Sequence, residues 1–152
     1  MQHLIERYNL APHPEGGYYR RIYQSAQSVK SSAAGAERRA VTHIYYLLGR
    51  GQISRFHRVL HDEIWNFYEG SPLRLVIFDG TTAREEILGP SSGYAAVVAG
   101  GLFQAAESTG DYSLVGCTVA PGFEFEDFSF LTEFPEEVRN LERNASGYNR
   151  FL

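Results

Sequence analysis

The sequence predicts an all-β sandwich or barrel with one short helix at each end. Three observations carry this. Short runs rich in β-branched and aromatic residues recur from about residue 16 to 131, each stopped by a turn signal such as Gly49, Asp79-Gly80, Gly89-Pro90, Gly100-Gly101 or Pro121-Gly122. Helical spacing of apolar residues occurs only toward the two ends. A chain of 152 residues is long enough for one core, and no internal repeat or composition shift marks a second domain, so residues 1–152 are expected to form one unit.

In chain order, HLIERYNL places Leu4, Ile5, Tyr8 and Leu10 on one side of a helix over about residues 2–10, ended by Ala11-Pro12-His13-Pro14. EGGYYRRIYQS reads as a glycine-initiated strand. Residues 25–37, small and polar, are expected as a mobile loop. The strands then follow one another as VTHIYYLL, ISRFHRVL, EIWNFYEG, LRLVIF, AREEIL, YAAVV, LFQAA, YSLVGCTVA and FEFEDFSFL. Alternation in the last would put Phe123, Phe125 and Asp127 on one face, with Asp127 capping or pairing with an arginine. FPEEVRNLERN predicts a helix over about 135–144, with Pro135 in its first turn and Val138 and Leu141 facing a core.

Composition narrows the function classes. The net charge of −4 and the lack of any basic stripe argue against nucleic acid. No apolar run has the length of a membrane helix, and the start lacks the pattern of a signal peptide. One cysteine, Cys117, excludes an intrachain disulfide and suits a reducing cytoplasm; in SLVGCTVA it reads as a buried, inert thiol. Lys30 is the only lysine, so positive charge is carried by arginines suited to planar pairing with carboxylates or phosphates.

The chemistry concentrates in GQISRFHRVLHDEIWNFYEG, residues 51–70. Strand alternation puts His57 on the face of Arg55 and Val59, and Glu63 on the face of Trp65 and Phe67. A tight hairpin would bring His57 and Glu63 to one inner surface as an acid/base pair, each setting the protonation of the other. The competing reading is two groups satisfying each other in a polar corner of the core. Arg55 is too costly to bury unpaired, so it is expected to pair with Glu63 or Glu15, to meet solvent, or to await an anionic ligand. Glu15 and Tyr19, beside the flexible Gly16-Gly17, are candidates to close one end of a pocket, against the alternative of an ordinary edge strand. Trp65 and Phe103, drawn on inner faces, can stack a ring or simply fill the core. The glycine-rich GPSSGYAAVVAGG lacks the strand–loop–helix setting of a phosphate loop.

The spacing of Gly51, His57, Val59, Glu63 and Gly70 resembles the first cupin motif, in which two histidines and a glutamate ligate a metal; here Val59 replaces the second histidine. The second cupin motif falls on VVAGGLFQA, with Val98 in place of proline and Phe103 where the last histidine is usual. Two of the four usual ligands are thus apolar, too few remain for a catalytic metal, and no cofactor is expected. Gln104 is expected to alternate away from Phe103, and His61 to sit in the turn. HPEGGYYRRIYQS, HIYYLL, SRFHRVLHDEIWNFYEGSPLRL, VVAGGLFQAA and LVGCTVAPGFEFEDFSFL together resemble the small cupins of domain-of-unknown-function family 985, also called Cupin_5. Val98, and Asn66 where an aromatic or histidine is common, are mild departures.

The resemblance implies a jelly-roll, or double-stranded β-helix, barrel, usually a homodimer, with a small-molecule pocket inside. It implies no reaction. The family's pocket is similar to those of sugar-nucleotide epimerases, metal-independent cupins using a histidine and a carboxylate partner. The dimer expectation is helped by Tyr45, Tyr46 and Tyr68, which one small barrel cannot all hide. The sequence therefore leaves three functions open. One is a metal-independent isomerase, epimerase or lyase on a polar, sugar-like molecule, with His57 and Glu63 catalytic and Glu15, Tyr19, Arg55, Trp65 and Phe103 shaping the pocket. Another is a non-catalytic metabolite-binding protein. The third is a weak divalent-metal enzyme.

Overall fold

In the computed structural model, which describes residues 1–152, thirteen strands and two α-helices are present. Six antiparallel strands form one sheet in the spatial order β1 (Ala11–Pro12), β2 (Tyr18–Gln24), β5 (Thr42–Gly49), β12 (Tyr112–Ala120), β7 (Asp62–Gly70) and β10 (Ala95–Val98). Five form the second, in the order β13 (Phe128–Phe130), β6 (Ile53–Val59), β11 (Phe103–Ser108), β8 (Leu73–Phe78) and β9 (Ala83–Leu88). The chain passes back and forth between the sheets, and their inner faces close on each other as a jelly-roll barrel. The barrel interior is one core, with Tyr46, Leu48, Trp65 and Phe67 from the first sheet against Leu75, Ile77 and Ala106 from the second.

A second core lies outside the barrel. Phe56, Val76, Phe78, Phe103 and Ala105 project from the outer face of the five-stranded sheet onto Leu141 of the C-terminal helix α2 (Pro135–Asn144) and Phe151 beyond it. Each large side chain buried there contributes about 2 kcal/mol relative to exposure. Both faces of β11 and β8 are therefore dry, and neither strand shows an apolar/polar alternation. The N-terminal helix α1 (Gln2–Tyr8) packs Leu4 against Leu47 and Leu114 on the outside of the six-stranded sheet. It ends earlier than expected because Asn9 takes a left-handed conformation, φ 50°, that breaks the helical hydrogen-bond ladder.

Three expectations need correction. Residues 25–37 are not a loop: β3 (Ser28–Ser31) and β4 (Ala36–Arg39) pair as a hairpin. Its strands are polar because they are exposed on both sides, apart from Ser31 and Arg38. FEFEDFSFL is not one strand but a 3₁₀ turn, Phe125–Asp127, followed by β13. Arg38 grips Asp127 through a bidentate pair, 2.7 and 2.8 Å, and ties that turn to the hairpin. Tyr46 is buried, donating to the Gly16 carbonyl at 2.8 Å, while Tyr68 stays exposed.

Candidate active site in the barrel

A bulge in β6 positions the central side chains. Gln104 of β11 lies opposite His57 while Ala106 lies opposite Ser54, so β6 carries one residue more than its partner over this stretch. The extra residue breaks the alternation, and Ser54 and His57 both face the interior. Arg55, expected on the His57 face, is turned aside: its guanidinium donates to the Pro14 carbonyl at 2.8 Å and stacks 4.3 Å from the Phe130 ring.

The segment preceding β2 crosses this bulge. The Arg55 amide donates to the Glu15 carbonyl at 2.9 Å. Gly16 lies so close to β6 that a Cβ there would sit 2.0 Å from the Ile53 carbonyl oxygen, and its φ of +117° suits only glycine. This close approach drives Glu15 into the barrel, where its carboxylate accepts from the Ser54 hydroxyl at 2.9 Å and lies 3.2 Å from His57 Nε2. His13, just upstream, accepts the Glu15 amide on Nδ1 at 3.3 Å, and burial lowers its pKa, so it is neutral at pH 7.

His57 is buried, stacked on Phe128 with ring centroids 5.2 Å apart, and its Nδ1 lies 2.8 Å from the Arg55 carbonyl oxygen. A carbonyl only accepts, so Nδ1 carries a proton in both charge states of the ring. Proton exchange is confined to Nε2. That atom faces the Glu15 carboxylate and, at 3.3 Å, the side-chain nitrogen of Gln104. The Glu15 contact is a hydrogen bond only with a proton between the two atoms. With Nε2 bare, its lone pair is served by Gln104.

Glu63, on β7, is the second buried carboxyl. Burial raises its pKa to about 7, against the smaller opposing pull of a charged His57; nearby Glu15 pushes the same way as burial. Gln104 donates to Glu63 Oε2 and so bridges it to His57. The orientation of this amide is dictated by Trp65, whose indole N–H, a donor only, binds Gln104 Oε1 at 2.8 Å. The oxygen is thus committed away from the site, and the NH₂ group faces His57 and Glu63.

That polarity bears on whether the residues present suit a metal. The donor set a cupin metal would need is interrupted by Val59, which lines the cavity, and by an amide presenting N–H groups where a cation needs lone pairs. No three His, Cys, Asp or Glu side chains are grouped to hold a metal ion. These residues do not fit the metal.

The cavity is tight: the space a water-sized occupant can reach inside it is about 40 Å³. Of the residues singled out in the sequence, His57, Glu63, Glu15 and Tyr19 line it together. Trp65 lies in the core behind Gln104 and reaches the site only through it. Phe103 faces the outer core, so the parity drawn for β11 is reversed and Gln104 is the inward residue. His61 is in the turn after β6, with Nε2 2.7 Å from the Ser31 hydroxyl. Sequence reasoning did not place His13, Arg21, Ser54, Gln104 and Phe128 at the site. Arg21 was within reach, because it shares strand parity with Tyr19.

The comparisons agree with this architecture. The Cupin_5 family model, described as cupin superfamily (DUF985), matches residues 2–131. An uncharacterized protein of Saccharomyces cerevisiae, YML079W, is 29% identical over 162 residues, covering 93% of this chain and 79% of the yeast protein. Among solved structures, a hypothetical protein from Leishmania major superposes with a TM-score of 0.83 at 29% identity, covering 97% of this chain and 93% of that one. Protein SO0799 from Shewanella oneidensis gives a TM-score of 0.80 at 30% identity, covering 98% and 92% of the two chains. With the family pattern running through the barrel and these relatives spanning nearly the whole chain, the protein belongs to the DUF985 family of the cupin superfamily.

Proposed function

We propose that the protein is a metal-independent acid–base enzyme, an isomerase, epimerase or lyase, acting on a small polar, sugar-like molecule held in the barrel. One observation carries the reading: His57, whose only exchangeable position is Nε2, lines a cavity that also holds a carboxyl titrating near neutrality, Glu63. A base with a fixed tautomer and an acid close to half-protonated at pH 7 are the two groups a proton shift on a carbon acid needs. His57 Nε2 takes the proton from carbon, and Glu15, 3.2 Å away, stabilises the imidazolium formed. Glu63 in its protonated form returns a proton to the substrate, and Gln104 keeps the two groups in register.

A second reading is favoured by a different observation. Both carboxyl groups already accept hydrogen bonds from the protein, Glu15 from Ser54 and Glu63 from Gln104, as a purely structural polar cluster in a metabolite-binding barrel would require. Solvent exchange separates the two. The protein is incubated in D₂O with a mixture of aldoses, ketoses, uronic acids and their phosphates, and with whatever small molecule co-purifies. An acid–base enzyme places deuterium on carbon in one component, and His57→Gln abolishes it. Retention of a bound ligand with no deuterium on carbon after many hours assigns the barrel to binding alone.

A further inference from the structure

The floor of the cavity carries two carboxyl groups, Glu15 and Glu63, and an anionic substituent cannot sit against them without electrostatic penalty. The one cationic side chain lining the cavity is Arg21, on β2. Its guanidinium donates only to neutral acceptors, Gln24 Oε1 at 2.9 Å and the Phe123 carbonyl at 3.3 Å, and no carboxylate lies within ion-pair distance of it. Arg38, by contrast, is saturated by Asp127 and Glu126. An arginine left with free N–H groups in the lining of a cavity that also holds two buried acids is arranged for a ligand rather than for stability.

Space continues outward from the same residue. A groove of about 390 Å³ shares Tyr19 and Arg21 with the cavity and adds Arg20, which donates to the Tyr8 carbonyl at 3.1 Å and likewise has no carboxylate partner. Its one acidic residue, Glu124, contributes to the field that holds Arg38 charged. The cavity lining also includes the apolar and aromatic side chains of Ile44, Val119, Phe123 and Phe128.

We propose that Arg21 is the anion-binding group of this site, and that its ligand is a bipolar small molecule. The phosphate or carboxylate head lies on Arg21 at the mouth, with Arg20 beyond it. The uncharged, hydroxylated end lies on the floor against His57. This rests on the acid–base reading for the identity of the floor, and it excludes neutral sugars as the preferred ligands.

Inorganic phosphate and acetate are the probes, each titrated against chloride at constant ionic strength into the ¹⁵N-labelled full-length protein. The expected result is a saturable shift of the Arg21 Nε–H signal and the Phe123 amide by at least one of the two anions. The tighter-binding anion names the head group. The shifts should vanish in Arg21→Gln, whose remaining amide spectrum reports an intact fold, and persist in His57→Gln. Absence of saturation by both anions at millimolar concentrations, or equal binding by Arg21→Gln, overturns the assignment. Neither result touches the reading of His57 and Glu63, which is scored separately by carbon deuteration.

Discussion

Replacing Glu63 by glutamine tests the electrostatics of the floor without any knowledge of the substrate. In the folded protein burial holds the Glu63 carboxyl at about 7, against an ordinary value of 4.5. The sign follows from proton binding. Between these values the folded state keeps a proton that the unfolded chain has already released, so stability is full below about 4.5 and falls as pH rises toward 7. At about 1.4 kcal/mol for each pH unit the interval amounts to about 3 kcal/mol. Glutamine keeps the shape and an acceptor for the Gln104 amide but cannot ionise. Wild type and variant should therefore differ by about 3 kcal/mol more at pH 8 than at pH 4.5, with the variant gaining at the alkaline end. Urea unfolding at the two pH values reads this directly; with a slope near 2 kcal/mol/M the relative midpoint moves by about 1.5 M. Titrating groups that do not interact with Glu63 cancel in the comparison; His57 and Glu15, which do, are part of what it reads. If the two proteins keep the same stability difference across the range, Glu63 is not held protonated, and its role as the acid is lost with it.

Four further outcomes follow from named contacts. Trp65→Phe removes the only donor to Gln104 Oε1 and should lower stability by about 1–3 kcal/mol in thermal or urea melts; an unchanged melt would mean the indole does not set the amide. Gly16→Ala forces a side chain onto the Ile53 carbonyl at a left-handed φ and should cost more than about 2 kcal/mol, with loss of the Glu15–His57 contact seen as a shift of the His57 ring nitrogens. Protein purified without added metal should hold well under one equivalent of zinc, manganese, iron or nickel by mass spectrometry of the elements; near one equivalent, lost in His57→Ala, would contradict the donor set. Light scattering should give the mass of two chains, because Ile64, Tyr68 and Val97 leave an exposed apolar patch on the six-stranded sheet.

How far the sequence could be read depended on which faces of each strand are wet. For β7 the alternation of Glu63, Trp65 and Phe67 with Ile64, Asn66 and Tyr68 is complete, because one face lines the barrel and the other is open, and the inward set is the one the sequence gives. The C-terminal helix was equally legible from Pro135 and the spacing of Val138 and Leu141. For β11 the same logic has nothing to work on. Phe103 and Gln104 are both buried, one under the C-terminal helix and one in the barrel, so parity cannot be told from hydrophobicity. The β6 bulge was invisible for another reason: it inserts no glycine or proline, yet it exchanges Arg55 for Ser54 at the inner surface. The hairpin of β3 and β4 lacked a pattern because it buries almost nothing.

The outer core under the C-terminal helix bears on how this barrel can change. Phe56, Phe78, Phe103 and Leu141 anchor the five-stranded sheet from behind, on strands whose opposite faces present Ser54, His57 and Gln104 to the cavity. Folding free energy and chemistry are thus carried by the two sides of the same strands, separated by a single layer of backbone. Polar residues can be exchanged on the inner side while the outer side continues to hold the register. A barrel built this way can change the polar groups of its cavity through substitutions that leave its architecture standing.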